Sequence, residues 1–156
     1  MANDRTAESV KTNATITATT TKGFDDLIIS DGDSKDGRVG TSYVVFGKAS
    51  GFSATIDLAS LDEGSGFRLV GVADGDVSGR SVSGAGVVNG DGFDDLIVRA
   101  RGTDTNGERS FSSCVVFGKA SGFDAKIDLI NLDSNSGFRL DGAATGDYSG
   151  AVSSAG

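Results

Sequence analysis

The chain has 156 residues, a net charge of −8 at neutral pH, 24 glycines, one cysteine, and no proline, tryptophan or histidine. An acidic balance argues against a nucleic-acid partner, because phosphate binding needs a basic surface. The missing histidine removes Ser-His-Asp and Cys-His chemistry and ordinary zinc sites, and a lone cysteine forms no internal disulfide.

Residues 1–13 are polar and unpatterned and are expected to be a flexible N-terminal segment. Ala14–Thr19 (ATITAT) is rich in Thr and Ile and predicts a strand. Asp26–Ser30 (DLIIS) predicts a second, whose continuous apolar run suggests burial on both faces. A polar, Gly-rich loop follows over 31–41, carrying Asp31, Asp33 and Asp36 as a solvated turn. Ser42–Gly47 and Phe67–Gly71 predict a third and fourth strand, with turns and small apolar patches over 48–66. The cycle then returns, with strands at Ser81–Gly86, Asp95–Arg99, Phe111–Gly118 and Phe138–Gly142. Ala151–Gly156 (AVSSAG) resembles Ser81–Gly86 (SVSGAG) and opens a further cycle. Cys114 lies within an apolar run and reads as a buried, inert thiol. Arg99 and Arg101 read as a solvated loop just after a strand.

The repeat is literal. Tyr43–Leu58 and Cys114–Leu129 are identical at 13 of 16 positions with an offset of 71. SGFRL recurs at Ser65–Leu69 and Ser136–Leu140. A unit of this length implies a modular array in which each unit buries a face against its neighbour. Four short strands per unit, joined by loops and with no capped helical period, is the layout of a propeller blade. The expected fold is therefore all-β. It consists of two four-stranded antiparallel blades, residues 14–79 and 80–150, plus the first strand of a third over 151–156. Propellers typically close with 4–8 blades. Two blades leave apolar flanks that invite association, so a partial or oligomer-completed propeller is expected.

The segment richest in chemistry is Val87–Asp95, VVNGDGFDD. Calcium takes six to eight oxygen ligands, supplied by Asp and Asn at alternating positions around a glycine turn. Asn89, Asp91, the Phe93 carbonyl and Asp95 have that spacing, while Val87 at the first position offers no side-chain oxygen. The competing reading is a Gly-rich turn whose Asp and Asn side chains bond to their own backbone. In the first copy the same positions hold Ala18, Thr20 and Lys22, so no metal is expected there, and a pairing of Lys22 with Asp26 is the alternative. Asp74, Asp76 and Asp147 read as turn-capping groups between units rather than an acid–base pair.

Phe46-Gly47, Phe117-Gly118, the GFDDLI runs at Gly23–Ile28 and Gly92–Ile97, the SGFRL runs and the acidic loop together resemble FG-GAP repeats. These are the blades of the integrin α-subunit β-propeller and of many bacterial surface proteins. The resemblance spans about Ala14 to Gly156. It implies a calcium-associated propeller module, extracellular or on the cell surface, that binds a protein or glycan ligand or serves adhesion. It carries the calcium positions onto Asn89, Asp91, Phe93 and Asp95. Ser30-Asp31-Gly32 and Arg99-Ala100-Arg101 stand where the family has Gly-Ala-Pro.

The leading expectation is a non-enzymatic module of this kind. The alternatives are a structural repeat whose copies associate into a ring (a homo-oligomer), and a cation-dependent hydrolase. No apolar run approaches the ~18 residues of a membrane-spanning helix. The start lacks the apolar centre of a secretion signal, which fits either a cytoplasmic chain or a piece of a longer secreted one.

Overall fold

The computed structural model describes residues 24–31, 39–71, 78–101 and 111–143. Within them the protein is all-β apart from two single-turn 3-10 helices, Leu58–Ser60 and Leu129–Asn131. Eight strands run in chain order among the described residues: β1 (Leu27–Asp31), β2 (Thr41–Val45), β3 (Gly66–Val70), β4 (Val82–Gly86), β5 (Asp95–Arg101), β6 (Phe111–Val116), β7 (Lys126–Asp128) and β8 (Gly137–Asp141). They form two four-stranded sheets, ordered β1-β2-β3-β7 and β4-β5-β6-β8. No helix among the described residues is long and apolar enough to cross a membrane.

The second sheet is the expected four-strand meander. β4, β5, β6 and β8 pair antiparallel in turn, with a bulge at Gly84–Gly86. The first sheet repeats the register: Ile28↔Val44↔Phe67 answers Ile97↔Val115↔Phe138. Its fourth member is borrowed. β7 belongs to the second repeat by sequence but pairs parallel with β3 of the first sheet, Leu69 beside Ile127. Parallel neighbours need a long connection, and the whole second meander up to β6 supplies it.

The sheets bury opposite faces. One cluster joins Ile28, Val44, Phe67 and Leu69 of the first sheet to Val82, Leu96, Val98, Cys114 and Val116 of the second. Strand alternation puts the first set on one side of its pleat. By sequence, the second set corresponds to the other side, because Leu96, Val98, Cys114 and Val116 align with Leu27, Ile29, Tyr43 and Val45. The stack is therefore polar: the same face is inside in one sheet and outside in the other. Ring contacts lock it, with Phe67 stacked on Phe123 at 4.4 Å and tilted against Phe46 at 5.8 Å.

The strand expectations hold to within one or two residues at most ends. β5 runs on to Arg101, so Arg99 lies half-buried on a strand rather than in a solvated loop. Burial of DLIIS on both faces is not seen: Ile28 is buried while Leu27 and Ile29 are half-buried, because only one side meets the other sheet. Cys114 is fully buried, as its apolar run implies. The 48–66 segment holds turns as expected, together with the 3-10 turn Leu58–Ser60, but its counterpart at 119–137 contains β7. Residues 1–13, the Ala14–Thr19 and Ala151–Gly156 strands, Lys22, Asp33, Asp36, Asp74, Asp76 and Asp147 lie outside the described residues.

A twin turn precedes β3 and β8. Asp62 Oδ1 accepts from Ser65 N at 2.9 Å and Ser65 Oγ at 2.6 Å, and Asp133 Oδ1 accepts from Ser136 N at 2.9 Å and Ser136 Oγ at 2.7 Å. The serine hydroxyl bonds, then the backbone bonds, hold both carboxyls below their ordinary value of 3.8. A depressed folded value means the turns contribute stability at pH above 3.8, and that contribution is lost as pH falls through the folded values. Thermal melts between pH 5 and 2 are expected to fall less steeply for the Asp62→Asn, Asp133→Asn double variant than for the parent.

Candidate functional site

The loop between β4 and β5 is a run of side chains bonded to their own backbone. Asn89 Oδ1 accepts from Asp91 N at 3.0 Å, and Asp91 Oδ1 accepts from Phe93 N at 2.8 Å. Asn89 Nδ2 donates to Asp91 Oδ2 at 2.8 Å. These are Asx turns, in which a short polar side chain replaces a backbone acceptor. Gly90 and Gly92 take φ of 77° and 89°, the left-handed region where a β-carbon would be strained. Val87 and Val88 are both exposed at its entrance.

Asp95 stands apart from that surface turn. It is fully buried at the start of β5. Its Oδ1 accepts from Gly118 N and its Oδ2 from Val88 N, both at 2.8 Å. One carboxylate thus ties together the loop, β5 and the Phe117-Gly118 corner after β6. Gly118 is needed for the approach, since a β-carbon there would overlap the Asp94 carbonyl oxygen and sit 2.8 Å from Phe93 Cβ.

The first repeat repeats this corner without the loop chemistry. Asp26 is buried, its Oδ1 accepts from Gly47 N at 2.8 Å, and a β-carbon on Gly47 would meet the Asp25 carbonyl oxygen. Yet the positions upstream are Ala18, Thr20 and Lys22. The aspartate–glycine tie therefore persists in the copy whose ligand positions are lost, which marks it as a device of the fold. That role was readable in principle: GFDD occurs in both copies while the alternating Asn and Asp occur in one.

As a calcium site, the loop brings Asn89, Asp91 and Phe93 into one turn and connects Asp95 through Val88. Every side-chain oxygen of Asn89, Asp91 and Asp95 already accepts an N–H, so a cation would share second lone pairs. Four protein donors fall short of the six to eight that calcium takes, leaving the rest to water. Among the described residues no three Asp, Glu, Cys or His side chains gather as a metal-holding group. The donors are all hard oxygen, the kind calcium takes, but they are few and low in charge.

Comparison with family models, with curated proteins and with solved structures returned no match.

Proposed function

We propose that the chain is a pair of FG-GAP-type propeller blades acting as a non-enzymatic binding module outside the cell. The observation that carries this reading is the polar stack of two meanders built from one repeated sequence. Consecutive blades need such a stack, because each must offer one face forward and the other back. The absence of histidine from the sequence removes imidazole acid–base chemistry, in keeping with a non-enzymatic role. The ligand is a protein or glycan surface, met by the loops at one end of the strands.

Calcium belongs to this proposal as a modest stabiliser of the β4–β5 loop. Asn89, Asp91, the Phe93 carbonyl and Asp95 would hold it, and its charge would fix the loop that joins the two strands. Binding to the native state raises the melting temperature by mass action. At a few millimolar calcium the parent is expected to melt higher than in chelator, and Asp91→Ala is expected to lose that increment. An unchanged melting temperature in the parent removes calcium from the proposal.

A further inference from the structure

Two stretches of nearly the same sequence have opposite surroundings. In the second repeat Phe123 is 8% exposed, while its counterpart Phe52 is 53% exposed. On the strand that receives them, Leu69 of β3 is 1% exposed, while Leu140 of β8 is 49% exposed. The cause is a single contact: β7 lies along β3, and among the described residues no strand lies along the outer edge of β8. Residues 55–57, which correspond to β7, form no strand. Among the described residues the molecule holds an occupied joint between its two repeats, and the two halves of the same joint, uncovered, one on each repeat.

We infer that Phe52–Leu58 of one copy of this chain docks on β8 of a second copy, in the parallel register that β7 takes on β3. The internal joint fixes the pairing. Arg68↔Lys126, Leu69↔Ile127 and Val70↔Asp128 become Arg139↔Thr55, Leu140↔Ile56 and Asp141↔Asp57 across copies. Phe52 then covers Phe138, as Phe123 covers Phe67. Phe52, Ile56 and Leu140 are three of the seven exposed large apolar side chains among the described residues. The joint would cover all three.

The donor is already shaped for this. Lys48 Nζ sits 5.4 Å from the Phe52 ring centroid, and Lys119 Nζ sits 5.3 Å from that of Phe123, so the exposed ring is held as the docked one is. The receiving face is shaped as well, since Phe117 meets Phe138 at 5.8 Å and 56°, as Phe46 meets Phe67 at 5.8 Å and 54°. Because donor and acceptor lie on different repeats, the contact is head-to-tail and builds a ring or an open chain. Asp57 comes beside Asp141, whose charge is answered by Arg139 at 2.7 Å. Added salt screens the residual repulsion between acidic copies, so association strengthens with ionic strength.

The inference rests on the repeat and the β3–β7 joint, and not on the calcium loop; a flat calcium melt leaves it standing. Sedimentation of the full chain in chelator, from micromolar to millimolar concentration, tests it. The parent is expected to rise from the single-chain mass of 15.7 kDa to two or more times that value. Ile56→Lys and Leu140→Lys, both at exposed positions, are each expected to remain single chains with unchanged circular dichroism. Mixed in equal amounts, they are expected to stop at two chains, since one retains the donor and the other the acceptor. A parent of single-chain mass throughout, a variant that still associates, or a mixture that stays monomeric overturns the inference.

Discussion

Replacing Asp95 by alanine is expected to destabilise the chain by about 3 kcal/mol, because it leaves one buried and one half-buried N–H donor without an acceptor. Gly118 N and Val88 N both end on this carboxylate. The Gly118 bond is buried and the Val88 bond half-buried, so the first N–H in particular is left without a partner. The substitution also leaves a space where a fully buried side chain stood. Asp95→Asn is expected to fall between alanine and the parent: one side-chain oxygen survives, and the amide nitrogen meets an N–H it cannot accept. Asn89→Ala, at an exposed turn, is expected to cost under about 1 kcal/mol. Urea unfolding in chelator decides the matter. A residue that acted only as a metal ligand would lose its effect when calcium is removed, whereas a carboxylate bonded to backbone keeps it. An Asp95→Ala variant as stable as the parent in chelator, and weaker only in calcium, would reverse the assignment.

Much of the framework was legible in the residues. The offset of 71 between the copies, with apolar runs between Gly-rich turns, located seven of the eight strands. What the residues could not show is which neighbour a strand finds. Thr55-Ile56-Asp57 and Lys126-Ile127-Asp128 have almost the same pattern, and only the second is a strand. The difference lies in β3, more than fifty residues from β7, and no local period records it. The β4–β5 loop shows the same limit. Alternating Asn and Asp around glycine fits calcium and fits Asx turns equally well, since both uses need oxygen atoms folded inward. Asp95 read as the last ligand of that loop; its bond to Gly118, 23 residues away, also fastens one strand to the next. A carboxylate opening a buried strand carries no mark of which N–H it will meet.

The second large effect is expected at Phe67, where alanine should cost about 3–5 kcal/mol. Phe138→Ala, in the same SGFRL sequence, should cost no more than about half as much in the single chain, because less of the ring is withdrawn from water. The pair is a controlled comparison. Both rings follow a glycine whose β-carbon would overlap a carbonyl oxygen of the next strand, and both meet a Phe-Gly aromatic at 5.8 Å. They differ in what the adjoining repeat contributes: Phe123 stacks on Phe67 at 4.4 Å, and Phe138 is only half-buried. The difference between the two substitutions therefore measures the joint between sheets, separated from the interior of either sheet. A double-mutant cycle between Phe67 and Phe123 should show a coupling of about 0.5–1.5 kcal/mol, the usual worth of an aromatic pair beyond its area. If Phe67→Ala and Phe138→Ala cost the same in dilute solution, the sheets do not support one another. In concentrated solution, where a second copy would cover Phe138, the two costs should converge.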